Sequence, residues 1–275
     1  MPAALDPTDI TKIHACYERD GFAVPINVMS KADIAELRAD LEAAERELAD
    51  DPARLKLLYA YPDRLLPSFD AMTRNPRMVG PAAAILGPDL MVWSAALFIK
   101  EAGSQKIVSW HQDLTYWQLD DVQETTCWLG ISDATVNSGC MKFVPGSHRE
   151  QIVAHNDTFD DNNLLSRGQE IAVDVDESEA VAAEVLAGQA SLHHGHLFHA
   201  SGPNHSSDRR IGSAVRYIKP SMQQSTGDKP LVSLVAGEDR YGHFTIAGPP
   251  VGRLHEDDFA RCARDAELKA RLLFD

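Results

Sequence analysis

Apolar residues recur in two different rhythms along this chain, and the change of rhythm divides it near residue 90. Before it, Ile34, Leu37, Leu41, Ala44 and Leu48 recur at steps of three and four, the spacing of one buried helix face. Ser30 precedes that run with Asp33 three residues on, an arrangement that offers side-chain acceptors to a helix's first unpaired N–H groups. Arg38, Asp40, Glu45 and Glu47 fall off the stripe, so a helix lying against a sheet is predicted. A second helix is predicted after Asn75-Pro76, stopping at the turn chemistry of Gly87-Pro88-Asp89. Residues 1–90 are therefore expected to be mainly helical.

From residue 91 the apolar runs shorten. Met91–Lys100, Thr125–Ile131, Lys142–Val144, Gln189–Leu197 and Ile211–Ile218 are separated by turn clusters such as Val144-Pro145-Gly146-Ser147 and Ser201-Gly202-Pro203-Asn204. Short strands punctuated in this way predict a β-sandwich or barrel. Residues 154–180 are polar and acidic and read as a long surface insertion, and Glu256–Phe274 as a closing helix. The expectation is a single α+β domain over 1–275, with a jelly-roll (cupin-like) core at 91–220 and flanking helices.

Composition narrows the partners. The net charge of −15 repels nucleic acid and anionic membranes, and argues against a bulky polyanionic substrate such as acyl-CoA. A small-molecule substrate is expected. The cysteines Cys16, Cys127, Cys140 and Cys262 form no CxxC pair, which points to a reducing cytoplasm rather than a disulfide framework or zinc knuckle. The first residues, MPAALDPTDI, lack the basic and apolar regions of a signal peptide. No apolar run reaches the roughly 18 residues of a membrane span.

The chemistry concentrates in histidines. His193, His194, His196, His199 and His205 fall within thirteen residues, and another lies in Trp110-His111-Gln112-Asp113. On an extended strand, positions i and i+2 share a face, so His111 and Asp113 can offer a nitrogen and a carboxylate oxygen to one ion. A further imidazole would complete a facial set, leaving positions open for O₂ and a co-substrate. His193, His194 and His196 compete for that role. His199 is favoured, because it is expected to end a strand before the Gly/Pro/Asn turn. Arg210 follows eleven residues after His199. A guanidinium can hold a carboxylate by two parallel hydrogen bonds, as the far end of 2-oxoglutarate would need. Arg210, Gly212, Ala214 and Arg216 share one face of the predicted strand, while Arg209 points the other way.

Three segments carry a family resemblance: Trp110-His111-Gln112-Asp113-Leu114 with Tyr116-Trp117, Phe143-Val144-Pro145-Gly146-Ser147-His148, and His199-Ala200-Ser201-Gly202-Pro203-Asn204 with Arg210. In this order they resemble the phytanoyl-CoA dioxygenase family of Fe(II)/2-oxoglutarate oxygenases. The resemblance implies a double-stranded β-helix, with iron(II) on His111, Asp113 and His199 and 2-oxoglutarate on Arg210. It further implies that Ser201 and Trp128 serve the co-substrate, and that Lys56 stands about where some relatives place a lysine for it. It implies O₂-dependent decarboxylation of 2-oxoglutarate to succinate and CO₂, with hydroxylation of an unactivated C–H bond. Relatives that halogenate lack the ligand acid, so the presence of Asp113 favours hydroxylation.

For the substrate itself, Tyr59, Tyr61, Trp93, Tyr116, Trp117 and Phe143 are candidate aromatic walls that would suit a quaternary ammonium. Arg216 or Lys106 would suit an anion, as in an organophosphonate. The competing readings are a cupin-like metalloenzyme that does not use 2-oxoglutarate, an acyl-CoA hydroxylase of the same family, and a β-sandwich binding module with structural histidines.

Overall fold

The computed structural model describes residues 3–165 and 167–274. Its first elements are α1 (Pro7–Asp20), β1 (Phe22–Asn27), α2 (Lys31–Glu47), α3 (Pro52–Ala60), α4 (Pro62–Leu65), α5 (Pro67–Thr73) and α6 (Pro76–Leu86). There follow β2 (Leu90–Lys100), β3 (Val108–His111), β4 (Glu124–Gly130), β5 (Met141–Phe143), β6 (His155–Asn156), β7 (Glu170–Ile171) and β8 (Val181–Ala183). The remainder are β9 (Gln189–His194), β10 (His199–Ser201), β11 (Arg210–Ile218), β12 (Leu231–Ala236), β13 (Thr245–Ile246) and α7 (Glu256–Phe274).

Local signals account for the helices. The Ser30 hydroxyl accepts from the Asp33 N–H at 3.1 Å and caps α2. The residues α2 buries are Ile34, Leu37, Leu41 and Ala44, the stripe its spacing predicts. Asn75 caps α6 in the same way, and the helix stops at Gly87, whose φ is +99°.

The strands form a seven-stranded sheet in the order β1-β9-β4-β11-β2-β12-β13, and a four-stranded sheet in the order β3-β10-β5-β8. β11 lies inside the larger sheet, antiparallel to β2 on one side and β4 on the other, and every one of its nine residues is buried. Its alternation serves two interiors. Ile211, Val215 and Tyr217 join the core shared with α2, α5 and α6, and the Tyr217 hydroxyl donates to the Thr73 carbonyl of α5 at 2.7 Å. Arg210, Ala214 and Arg216 face the opposite way, into a cavity lined by residues of both sheets.

The first ninety residues are mainly helical, as expected, with one strand that the apolar rhythm does not predict: β1 pairs with β9 at the edge of the larger sheet. Pro25 interrupts that pairing between Ala23 and Ile26, and proline's missing N–H is tolerated at an edge. That same proline hides the strand from an apolar-rhythm reading. One expectation needs correcting: the sheet does not end near residue 220, since β12 and β13 extend it beyond β2.

Within residues 154–180, β6 and β7 pair as a small antiparallel ladder. This stretch also backs β3: Ser109 Oγ donates to the Gln169 carbonyl and accepts from Asn163 Nδ2 at 2.7 Å. Among the described residues no helix is long and apolar enough to cross a membrane.

Candidate metal and co-substrate site

Three side chains meet between the sheets. β3 ends at His111, and Asp113 opens a 3-10 turn, Asp113–Tyr116. The two therefore do not share one extended strand as expected; it is the turn that brings the carboxylate back beside the imidazole. The strand predicted over Gln189–Leu197 likewise stops at His194, and His199 opens rather than ends a strand. That strand, β10, belongs to the smaller sheet and sets His199 opposite His111, with ring centroids 4.0 Å apart. Asp113 Oδ1 stands 3.6 Å from His111 Nε2 and 4.0 Å from His199 Nε2. One ligand atom from each residue falls within 4.8 Å of the others, and all three residues are buried.

Backbone carbonyls select the tautomers. His111 Nδ1 bonds the Ser109 carbonyl and His199 Nδ1 bonds the Leu197 carbonyl, each at 2.9 Å. A carbonyl only accepts, so Nδ1 carries the proton and Nε2 presents its lone pair to the common point. Burial, and then the nearby His111, holds the His199 pKa well below its ordinary value, which keeps the ring neutral. Burial alone would raise the Asp113 pKa; the Arg216 guanidinium and then the imidazoles of His111 and His193 outweigh it and hold the carboxyl well below the usual range. Two imidazole nitrogens and one carboxylate on one side of a point suit a divalent transition metal with open positions.

The other oxygen of Asp113 is also engaged. Thr126 Oγ1 donates to Oδ2 at 3.0 Å, and His193 Nε2 lies 3.7 Å from it. Thr126 Oγ1 is also 2.7 Å from Glu124 Oε1. A hydroxyl has one proton to give. Burial and then the Asp113 charge push the Glu124 pKa well above its ordinary value. A protonated Glu124 donates to Thr126, which then donates to Asp113. Holding Oδ2 in this way leaves Oδ1 turned toward the two imidazoles.

The cavity has an empty volume of about 390 Å³ and carries a cation at each end of β11's inner face. Arg210 is 2% exposed, and neither its Nε nor its Nη2 has a hydrogen-bond partner. Its guanidinium carbon lies 5.4 Å from the centre of the Trp128 ring. Burial draws its pKa down to about 10, so it remains a cation at neutral pH. Gly212 makes room for Trp128: a Cβ there would stand 1.9 Å from Trp128 Cζ2. Lys100 faces Arg210 across the β2–β11 ladder, is fully buried, and donates to Ser201 Oγ at 2.6 Å. Burial, and then Arg210, lowers its pKa to about 6.

At the other end, Arg216 Nη2 lies 3.7 Å from Asp113 Oδ1 and Nη1 donates to Ser94 Oγ at 3.2 Å. The guanidinium lies 4.8 Å from the Trp117 ring centre and 5.8 Å from that of Phe98.

The cavity thus brings together His111, Asp113, His199, Arg210, Ser201, Trp128 and Arg216. It does not include Lys56, which is exposed on α3, a helix on the far side of the larger sheet. Tyr59 and Tyr61 are also misplaced by the sequence reading. Tyr59 donates to Glu45, Tyr61 packs 5.4 Å from Lys269, and both belong to the helical core. Trp117 does not line the cavity but backs Arg216, stacked on Trp93 at 4.8 Å. The side chain of Tyr116 lies outside the described residues. Lys106 Nζ donates to the Asp161 carbonyl on the surface, and Arg209 pairs with Glu45 and Glu101 on the outer face. His194 and His196 lie outside the cavity lining. Sequence reasoning missed Lys100 and Thr126 altogether. A lone lysine closing the Met91–Lys100 run is the available signal, but its meaning depends on register with Arg210.

Known proteins extend the picture. The family model described as Phytanoyl-CoA dioxygenase (PhyH) matches residues 17–212. An ectoine dioxygenase of Bordetella bronchiseptica is 28% identical over 194 residues; the match covers 64% of this chain but 60% of that protein's length. The L-proline trans-4-hydroxylase of Streptomyces griseoviridis is 25% identical, over 80% of this chain and 94% of its own. A solved structure described as the apo form of the non-heme monooxygenase ThoJ superposes with a TM-score of 0.86 at 30% identity, covering 95% of this chain and 97% of that one.

Proposed function

The chain belongs to the phytanoyl-CoA dioxygenase family, and we propose that it is an iron(II)- and 2-oxoglutarate-dependent dioxygenase that hydroxylates a C–H bond of a small polar metabolite. One observation carries the reading. Two Nε2 lone pairs and Asp113 Oδ1 face a common point, in the same cavity as a buried arginine with two unpartnered nitrogens. The relatives bearing dioxygenase and hydroxylase names, and a double-stranded β-helix reading of the two sheets, support it.

His111, Asp113 and His199 would hold the iron. Iron(II) bound there would supply the oxidising chemistry, in which O₂ and 2-oxoglutarate give succinate, CO₂ and one oxygen atom inserted into the substrate C–H bond. The chain's own residues position and enclose. Arg210 takes the far carboxylate of 2-oxoglutarate by charge-assisted hydrogen bonds, beside Ser201 and Lys100, with Trp128 as the wall. Thr126 and His193 keep Asp113 turned toward the ion. The buried setting excludes water, and the hard chemistry belongs to the metal. The net charge of −15 supports a free metabolite over an acyl-CoA. With Tyr59 and Tyr61 elsewhere, the support for a quaternary-ammonium group weakens and that for an anionic one grows.

The test is an anaerobic titration with Fe(II) and then 2-oxoglutarate. A visible charge-transfer band at one equivalent of each is expected, and Arg210→Gln should lose the band at the same 2-oxoglutarate concentration while keeping iron. A chain that binds neither would refute the assignment.

A further inference from the structure

We infer that Arg216 holds an anionic group of the substrate, a carboxylate or phosphonate, beside the metal site. This deepens the function just proposed and rests on it. The first argument is geometric. Arg216 is 9% exposed, lines the cavity, and has its Nε without a partner. Its guanidinium packs over Trp117 and Phe98, and Trp117 stacks in turn on Trp93, over which Lys269 of α7 lies at 4.7 Å. A long, flexible side chain is thereby pre-set, which lowers the entropy lost on binding.

The second argument is charge. Among the described residues lining the cavity, Asp113 is the sole acid, against two arginines. A divalent ion would be matched by the Asp113 carboxylate and by the metal-binding carboxylate of 2-oxoglutarate. The far carboxylate of 2-oxoglutarate would match Arg210. One buried positive charge then remains, that of Arg216, whose nearest acid already serves the ion. A buried cation without a counter-charge is costly, and an anion delivered by the substrate removes that cost. Arg216 lies six positions after Arg210 on β11, which sets their Cα atoms roughly 20 Å apart at the usual strand rise. The co-substrate's far end therefore serves one of them and leaves the other.

The test uses the full chain loaded anaerobically with Fe(II) and 2-oxoglutarate. Methylphosphonate and acetate are the anionic probes; dimethyl methylphosphonate and acetamide are their uncharged counterparts. Binding is read by calorimetry and by displacement of the visible band. The anions should bind and shift the band, and the neutral molecules should not. Arg216→Gln should weaken anion binding at least tenfold while the band forms at an unchanged 2-oxoglutarate concentration; Arg216→Lys should recover part of the loss. In a succinate-release screen, the compounds turned over should carry an acidic group, and Arg216→Gln should raise their KM far more than it lowers kcat. Equal binding of neutral and anionic probes, or anion binding untouched by Arg216→Gln, overturns the inference. So does a variant that weakens 2-oxoglutarate equally, which would make Arg216 a co-substrate residue, or one that loses iron, which would make it a support for Asp113. Absence of the band in the unmutated protein removes the parent function and this inference together; a normal band with any of the other outcomes removes this one alone.

Discussion

Arg210 and Arg216 stand on the same face of one strand, yet they are held quite differently. Arg210 meets an aromatic ring, a buried lysine and no acid, and leaves two nitrogens unpartnered. Arg216 meets the Asp113 carboxylate at 3.7 Å and the Ser94 hydroxyl, and lies over the rings of Trp117 and Phe98. The strand supplies the same residue type twice; the neighbouring strands and the turn after β3 leave one guanidinium facing the cavity with no acid beside it and set the other next to Asp113. Identical side chains on one strand face thus acquire distinct roles from what is paired across from them.

The largest expected effect abolishes the contrast by removing what lies between the two ends. His199→Ala should lose stoichiometric iron(II), measured by metal analysis after gel filtration, and succinate release should fall to background. A variant that kept one iron per chain would show that the two ends do not share a metal. Arg210→Gln attacks one end only. Truncating one member of a buried charged pair costs about 2–5 kcal/mol, so the 2-oxoglutarate dissociation constant should rise roughly 30-fold or more, with iron affinity unchanged.

Gly212→Ala is expected to act on the Arg210 end through packing. The added Cβ collides with Trp128, and overpacking of this kind costs about 1–3 kcal/mol of stability. Urea unfolding and the near-ultraviolet signal of Trp128 should both report it, and 2-oxoglutarate should bind more weakly. Unaltered stability and tryptophan signal would mean that the ring has room the structure does not show.

The remaining effect is the pH dependence that Lys100 contributes. Its pKa is about 6 in the fold against an ordinary 10.5. Between those values the unfolded chain binds a proton that the folded chain does not, so stability rises with pH across that window. Lys100→Met removes this contribution. The slope of unfolding free energy against pH, from urea melts between pH 6.5 and 9, should become less positive than in the parent chain. An unchanged slope would place the Lys100 proton elsewhere than this geometry implies.

Legibility from sequence tracked the range of the interaction. α2, α6, α7, β2, β4 and β11 were readable because caps, stripes and short apolar runs are local. β1 was not, since Pro25 disguises a strand whose partner β9 lies more than 150 residues away. The candidate ligands and Arg210 were readable as motifs, although the backbone that carries Asp113 and His199 was misjudged. Aromatic residues near the chain's helical part looked like pocket walls, but Tyr59 and Tyr61 lie on the helical side of the sheet, and aromatic character alone does not say which side a residue faces.

By itself, then, the order of residues determined α2, α6, α7 and the long strands β2, β4 and β11, which side chains can bind a metal, and that Arg210 and Arg216 share a face, because alternation along one strand depends only on the strand. Tertiary pairing alone decided that His111 meets His199, that Lys100 rather than Lys56 stands opposite Arg210, and that Thr126 and His193 reach Asp113. Those contacts depend on register between strands far apart in the chain, and a shift of one residue would turn every one of these side chains to the opposite face.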